Sequence, residues 1–220
     1  MLKLEDLSLE GLKIYQDDKL YRFTSDSVLL SRFVKVKKGD VVADFCSGSG
    51  IVGLHLYGLN KVIKSVTLFE MQKPLADMSY LSVKENGLTD IFKVVNCKLQ
   101  DIGSEYNEKF SLIVCNPPYE QPSSGEKKKR SEIAVCRSEE TLTLKELVLA
   151  VKKALKFGGR FNIVHRADRL AEVVFELKNN GLEPKRLQLI SGGDKAPYLM
   201  LLEAVKGGKS GIKIEKNIRN

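Results

Sequence analysis

The sequence contains few of the residues that build metal sites and disulfide frameworks, and it has no Trp. Its four cysteines, Cys46, Cys97, Cys115 and Cys136, are well separated and lack C-x-x-C spacing, and only two histidines accompany them. A zinc site therefore has few candidate ligands. We expect no metal, and we expect reduced thiols in a cytoplasmic protein.

Long apolar segments are also missing. No apolar run approaches the roughly 18 residues of a membrane-spanning helix, and the N-terminus MLKLEDLSLEG lacks the apolar core of a signal peptide. We therefore expect no membrane association. In contrast, basic residues are abundant: 36 Lys and Arg exceed 28 Asp and Glu, giving a net charge of +8. This excess suits a polyanionic partner such as nucleic acid.

From about residue 40 onward, short apolar runs alternate with amphipathic segments, which is typical of an α/β sheet. Strands are predicted at 41–45, 62–70, 91–97, 110–115, 160–165, 183–190 and 197–205. Helices are predicted near 50–58, 71–87, 141–156 and 167–181. The pattern favours a doubly wound, mostly parallel sheet of seven strands with one antiparallel strand and helices on both faces. Ligands of such sheets bind at the carboxyl ends of the strands.

Three further segments can be assigned from composition and position. Residues 1–40 are predicted to form a small N-terminal cap on a domain of residues 41–220. Residues 120–138 are polar and predict a loop. The basic tail KGGKSGIKIEKNIRN is either a charged surface strand or a nucleic-acid contact.

A glycine-rich turn, DFCSGSGIVGL at 44–54, follows the first predicted strand and opens a helix. Gly48 and Gly50 permit a tight turn and let a ligand approach the main chain beside helix N–H groups. The turn satisfies G-x-G-x-x-G, which alone is a weak sign of a dinucleotide site. However, Asp44 would repel a pyrophosphate and attract the ammonium group of a methionine moiety. Glu70, at the end of the next strand, suits a ribose diol. The set favours S-adenosylmethionine over NAD.

A second motif, SLIVCNPPYE at 111–120, ends the fourth predicted strand. The side-chain carbonyl of Asn116 and the backbone carbonyl of Pro117 can each accept one N–H of an exocyclic amine, turning its lone pair toward a methyl donor. Pro117 and Pro118 fix the backbone that carries these acceptors. Tyr119 can stack on a planar target, which is worth about 1–3 kcal/mol per base. The motif predicts methyl transfer by positioning and electrostatics, without a strong general base.

The DFCSGSG turn and the NPPY motif together resemble those of the class I S-adenosylmethionine-dependent amino-methyltransferases. Residues 21–33 (YRFTSDSVLLSRF), 164–173 (VHRADRLAEV) and 184–214 further resemble the bacterial tRNA1(Val) adenine methyltransferase family. That family modifies the exocyclic amine of the adenine just 3′ of the anticodon. The resemblance covers nearly the whole chain. It implies a Rossmann-like class I methyltransferase fold, S-adenosylmethionine as the cofactor, and tRNA as the RNA-binding partner in tRNA processing.

The resemblance also implies roles for individual residues. Ser25 and Asp26 become cofactor contacts from the N-terminal motif. The cofactor-binding set then reads Ser25, Asp26, Asp44, Gly48, Gly50, Glu70, Met71 and Asp101, and the catalytic set reads Asn116, Pro117, Pro118 and Tyr119. Met71 either packs against the cofactor's adenine or belongs to the core. Relatives carry an acid near the end of the third strand, where this chain has Lys98, and Asp101 three residues later takes that role.

Contacts with the substrate are predicted at two places. EKKKR at 126–130 contributes Lys127, Lys128, Lys129 and Arg130 either as a clamp on RNA or as a solvated loop. His165 and Arg166, after the fifth predicted strand, either contact phosphate or face solvent.

Several functions remain open at this level. The same amine-orienting device suits guanine or adenine in rRNA, adenine in DNA, and glutamine in release factors. An inactive RNA-binding module on this scaffold and an NAD-dependent dehydrogenase are further alternatives, disfavoured by the intact NPPY motif and by Asp44, respectively. Compactness and the basic excess favour RNA. We expect a monomer.

Overall fold

A computed structural model of the chain describes residues 2–18, 20, 24–118 and 142–219. Within these ranges the strands are β1 (Leu2–Asp6), β2 (Lys13–Asp17), β3 (Val41–Phe45), β4 (Ser65–Glu70), β5 (Phe92–Asn96), β6 (Phe110–Cys115), β7 (Leu155–Arg166), β8 (Leu182–Ser191), β9 (Pro197–Lys206), β10 (Lys213–Ile214) and β11 (Ile218–Arg219). The α-helices there are α1 (Ser25–Phe33), α2 (Ile51–Leu59), α3 (Lys73–Glu85), α4 (Leu144–Ala154) and α5 (Leu170–Asn179).

One large sheet organises the molecule. Its strand order is β10-β8-β9-β7-β6-β3-β4-β5, with β11 also paired to β8, and β1 and β2 form a separate hairpin. Neighbouring strands from β5 to β7 are parallel, whereas β9 runs antiparallel to both β7 and β8. The seven main strands with one antiparallel member match the predicted sheet. The order reverses between β3 and β6, so a ligand crevice is expected at the carboxyl ends of these two strands.

The boundary between α4 and β7 differs from the prediction, which placed a helix to residue 156 and a strand from 160. The helix ends at Ala154, and β7 begins at the fully buried Leu155, which pairs with Phe110 of β6. Gly158 has a φ of +73°, a conformation that glycine adopts easily. The two glycines therefore lie inside an irregular strand instead of ending the helix.

Apolar residues pack on both faces of the sheet. On one face Phe69 makes edge-to-face contacts with Phe45, Tyr106 and Phe110, at centroid distances of 5.3, 5.0 and 5.9 Å. Such aromatic pairs add about 0.5–1.5 kcal/mol each beyond their burial. Helices α4 and α5 contribute to this cluster. The other face is covered by side chains of β2, α1, α2 and α3.

The segment before residue 40 is tied to the rest of the chain. Tyr15 N–H donates to Ser82 Oγ at 2.9 Å, and Lys13 N–H donates to Asn86 Oδ1 at 2.8 Å, so β2 is joined to α3. Ile14 and Leu30 are fully buried in the same core as α2. The predicted boundary at residue 40 stays a prediction, but the hairpin and α1 contribute to a shared core.

The tail lies along the free edge of β8. Arg186 of β8 pairs with Glu203 at 3.1 Å and with Glu215 of the tail at 3.0 Å. Its guanidinium also donates to the carbonyl of Phe33 at 3.1 Å. The tail is therefore a surface strand segment, whereas its predicted alternative role in nucleic-acid contact stays a prediction. Within the described ranges, none of the helices combines the length and the apolar character of a membrane-spanning segment.

Candidate active site

The candidate site lies where β3, β4 and β6 end. Register pairing sets Asp44 opposite Val114 of β6 and Leu68 of β4, and it sets Phe45 opposite Cys115. Asn116, which follows Cys115, therefore lies at the same edge as the glycine turn that follows Phe45. The two motifs recognised in the sequence are neighbours in space because their strands are adjacent and parallel.

The glycine turn has a conformation that needs small residues. Gly48 and Gly50 have φ values of +55° and +83°. A Cβ added to Gly50 would approach Leu68 Cδ1 to 2.9 Å, whereas one added to Gly48 would meet nothing within 4 Å. Gly50 is thus required by packing and backbone, and the space over Gly48 is open to a ligand. Cys46, at the start of the turn, also has a positive φ of 56°, which is unfavourable for a residue with a side chain.

Asp44 carries a buried carboxyl group, and only one of its two oxygens has a hydrogen-bond partner among the described residues. Its exposure is 0%, its Oδ2 accepts from the N–H of Gly53 at 2.9 Å, and its Oδ1 has no hydrogen-bond partner among the described residues. Burial, with a further contribution from the charge of Glu70, raises the pKa of Asp44 to about 8. A cation placed beside Oδ1 would supply the missing partner.

Glu70 links the glycine turn to the loop after β4. Its Oε2 accepts from Gly48 N–H at 2.9 Å and its Oε1 from Gln72 N–H at 2.8 Å. Burial raises the pKa of Glu70, and the backbone hydrogen bonds oppose this shift without reversing it. The side-chain amide of Asn96 holds the same loop from β5, donating to the carbonyls of Glu70 and Met71 at 2.8 and 3.0 Å. Met71 is half-buried next to Glu70.

Asn116 is oriented by the N-terminal helix. Its Nδ2 donates to Ser27 Oγ in the first turn of α1 at 3.0 Å. In the part of the chain that the structure describes, no residue donates to Asn116 Oδ1. Pro117 is buried and Pro118 half-buried, so the backbone after Asn116 is packed in place. Tyr119 lies outside the described residues.

The predicted contacts Ser25 and Asp26 lie in the same turn of α1. Ser25 is exposed, Asp26 is half-buried, and Ser25 Oγ donates to Asp26 Oδ1 at 3.4 Å. Because Ser27 touches Asn116, this turn borders the site. Their contact with a cofactor stays a prediction.

Other predicted residues lie in different surroundings. Asp101 is exposed in a short 3-10 turn. Burial raises the pKa of the Cys97 thiol, which follows β5, and the charge of Asp101 raises it further. Lys98 is also exposed. Lys127, Lys128, Lys129 and Arg130 lie outside the described residues.

His165 differs from its expectation. It was predicted to contact phosphate or to face solvent, but its exposure is 1%. Burial lowers the pKa of His165 to about 4, so the ring is neutral at pH 7, and its Nδ1 accepts from Arg166 N–H at 2.9 Å. A buried neutral ring is not suited to pairing with phosphate. Arg166 is exposed and its Nε donates to Asp168 Oδ1 at 3.1 Å.

Two cysteine side chains meet at this edge, Cys46 and Cys115. Among the described residues Cys46, Cys97 and Cys115 form no disulfide, and Cys136 lies outside the described residues. Burial and a hydrogen bond with Cys46 raise the pKa of Cys115 well above its usual range. No group of three or more potential metal ligands was found within the described ranges.

Two contributors were missed by reasoning from the sequence. Ser27 lies inside the FTSDSVLL segment, where only Ser25 and Asp26 were singled out. Asn96 ends β5 and holds the loop after β4. Each bonds to a residue distant in the chain, and no local spacing signals such a contact.

The residues present fit S-adenosylmethionine. The orphaned buried Oδ1 of Asp44 suits the ammonium group of its methionine moiety, and the open space over Gly48 admits a ligand next to the main chain. Glu70 ends β4, and a carboxylate at that strand end is the type of group that accepts from a ribose diol. This combination of donors and acceptors supports a nucleoside ligand with a cationic amino-acid arm.

Comparison with known proteins agrees with this fold. The family model of the methyltransferase small domain matches residues 22–180. The tRNA1(Val) (adenine(37)-N6)-methyltransferase of Shewanella frigidimarina is 25% identical over 173 residues, covering 76% of this chain and 68% of that protein. The release factor glutamine methyltransferase of Clostridium acetobutylicum is 28% identical over 183 residues, covering 80% of this chain and 62% of that protein.

Among solved structures, a predicted O-methyltransferase from Agrobacterium tumefaciens has a TM-score of 0.70 at 17% identity, covering 88% of this chain and 86% of that chain. At that identity the likeness concerns the fold, and it confirms the predicted class I methyltransferase architecture. The family match extends over most of the chain, including α1, the glycine turn and the NPPY motif. The chain belongs to the methyltransferase small domain family.

Proposed function

We propose that this protein transfers a methyl group from S-adenosylmethionine to the exocyclic amine of an adenine in tRNA, next to the anticodon of tRNA(Val). The observation that carries the proposal is the placement of Asn116 beside the glycine turn: Asn116 follows Cys115, which pairs with Phe45 across adjacent parallel strands. An amine-orienting amide therefore borders the turn that would hold the methyl donor.

The chain's own residues have distinct tasks. Asp44 would bind the ammonium group of the cofactor, and Glu70 would bind its ribose. The main chain of the glycine turn would lie against the cofactor. When bound, S-adenosylmethionine supplies an electrophilic methyl group on a sulfonium. Asn116 Oδ1 and the carbonyl of Pro117 would each accept one N–H of the target amine, which orients the nitrogen lone pair toward that methyl group.

These two acceptors also stabilise the transition state. The amine nitrogen becomes positively charged as the new bond forms, and a hydrogen bond to a charged donor is stronger than one to a neutral donor. Removing one such preorganised partner typically costs about 10²–10³ in kcat. The proton leaves after the nitrogen has become cationic, so no strong general base is needed in the site.

The choice of tRNA rests on similarity and charge. The name of the Shewanella relative supports an adenine in tRNA as the substrate, and the net charge of +8 suits RNA. Lys127, Lys128, Lys129, Arg130 and Arg166 are proposed substrate contacts, and His165 is not retained because it is buried and neutral. We propose that the protein acts as a monomer in the cytoplasm, where its tRNA substrate would be found.

A second function has specific support. The Clostridium relative is named for methylation of release-factor glutamine, and a glutamine amide is also a planar nitrogen that the same acceptors can orient. The net charge of +8 favours the RNA substrate. Release-factor methylation therefore enters the test as the alternative.

The test is transfer of tritiated methyl groups into unmodified total tRNA, rRNA and a release factor, with Asn116→Ala as the variant and Asn179→Ala as a matched control at an exposed residue that ends α5. We expect label in tRNA, recovered as N6-methyladenosine, which is lost with Asn116→Ala and retained with Asn179→Ala. Label in the release factor alone would overturn the tRNA assignment. Transfer unaffected by Asn116→Ala would overturn the role of the motif.

A further inference from the structure

The amide of Asn116 can face its surroundings in two ways, and only one of them suits the proposed reaction. An amide has an acceptor oxygen on one side and a donor NH2 on the other, and its terminal torsion is broad and roughly two-fold. If the NH2 faced the target amine, two donors would meet. An active site of this kind therefore needs a group that selects the orientation.

Ser27 holds one end of this amide. A hydroxyl can donate as well as accept, and in the structure it accepts. The Oγ of Ser27 accepts from Asn116 Nδ2 at 3.0 Å across 89 residues of sequence. With the amide nitrogen engaged on α1, the oxygen of the same planar group points elsewhere. Within the described residues no other group donates to that oxygen, and the proposed reaction assigns it to an N–H of the substrate.

Ser27 is itself firmly placed. It is 2% exposed, and its N–H donates to the carbonyl of Thr24 at 3.2 Å in the first turn of α1. One turn later, Ser31 Oγ lies 2.7 Å from His55 Nδ1 of α2. At the end of the helix, the ring of Phe33 lies 4.2 Å from the guanidinium carbon of Arg186. The helix is thus held along its length.

We propose that Ser27 is a positioning residue for methyl transfer: it fixes the Asn116 amide so that Oδ1 accepts from the target amine. This inference rests on the proposed function and adds a residue that acts through Asn116. It also gives the segment before β3 a part in catalysis, because α1 sets the orientation of a side chain at the end of β6.

The perturbation is Ser27→Ala, with Ser31→Ala as its matched control. Both serines are buried on α1, at 2% and 1% exposure, but Ser31 bonds to His55 and not to Asn116. Loss of one hydrogen bond corresponds to about three- to tenfold in rate. We expect Ser27→Ala to lower kcat by that factor while the KM for tRNA and the Kd for cofactor change less than about twofold. Ser31→Ala should lower thermal stability similarly and leave kcat unchanged.

A double-mutant cycle separates positioning from general loosening of the helix. In an Asn116→Ala background, Ser27→Ala should lower the residual kcat no further. An equal fractional loss in both backgrounds would overturn the proposal, as would an unchanged kcat in Ser27→Ala alone.

A second readout does not depend on turnover. In the 15N-labelled protein, the side-chain amide signals of Asn116, assigned by their absence in Asn116→Ala, should shift in Ser27→Ala and stay in place in Ser31→Ala. Unshifted signals in Ser27→Ala would overturn the proposal. If the wild-type protein methylates no RNA, the proposed function fails, while the NMR comparison still decides whether Ser27 holds the amide.

Discussion

Cofactor binding should strengthen as the pH rises from 6 to 7, because Asp44 must lose its proton to pair with the cofactor's ammonium group. The carboxyl is 0% exposed and one of its oxygens has no partner in the described part of the chain. Its pKa is raised to about 8, by burial first and by the charge of Glu70 as well. About 1% of Asp44 is then ionised at pH 6 and about 9% at pH 7. The cofactor Kd should fall about ninefold over this interval.

The same shift gives the sign of the effect on stability. The folded-state pKa of Asp44 lies above its ordinary value of 3.8. Between about pH 4 and pH 8 the folded state therefore keeps a proton that the unfolded state has lost. The contribution of Asp44 to the free energy of unfolding should decrease as the pH rises through that window. Bound cofactor should oppose the decrease.

Isothermal titration calorimetry at pH 6 and pH 7, in two buffers with different ionisation enthalpies, measures both the Kd and the proton count. We expect about 0.9 protons released per cofactor bound at pH 7, the fraction of Asp44 still protonated there. The control Asp44→Asn should bind weakly and show neither the proton release nor the pH dependence. Equal affinities at the two pH values, with no proton release, would refute the reasoning.

Two further predictions concern packing and charge. A Cβ at Gly53 would lie 2.6 Å from Leu68 Cδ2, so Gly53→Ala should lower the free energy of unfolding, measured by urea titration, by about 1–3 kcal/mol. The control Gly192→Ala, whose added Cβ would meet nothing within 4 Å, should leave it unchanged. Equal losses in the two variants would contradict this prediction. Arg186→Met leaves Glu203 buried without its partner at 3.1 Å and should cost about 3–5 kcal/mol. A Tm lowered by less than about 3 °C would be too small for that loss.

Much of the fold follows from local patterns. The strand 110–115 was predicted with the bounds that β6 has, because a short buried apolar run ends at Asn-Pro-Pro, which cannot continue a ladder. The start of β7 was wrong, because Gly158-Gly159 reads as a helix stop. Pairing of the buried Leu155 with Phe110 extends the strand backward through the glycines, and that pairing is a tertiary contact.

The candidate site was likewise predictable from the sequence only in part. Asp44, Glu70 and Asn116 were predicted from their places at strand ends, since parallel strands bring such residues to one edge. The bond between Ser27 and Asn116 depends on how α1 docks, which periodicity does not determine. The burial of His165 depends on its position in β7, opposite Met200 of β9. Chemical type alone suggested a phosphate contact there.

The most direct test of the proposed reaction uses two synthetic anticodon stem-loops that differ in one base. One carries adenosine 3′ of the anticodon and the other carries inosine, which lacks the exocyclic amine. With labelled S-adenosylmethionine, we predict label in the adenosine stem-loop only, recovered as N6-methyladenosine and absent with Asn116→Ala. Equal labelling of the inosine stem-loop, or a methyl group on a ring nitrogen, would contradict the assignment of Asn116 and Pro117 as acceptors for an exocyclic amine.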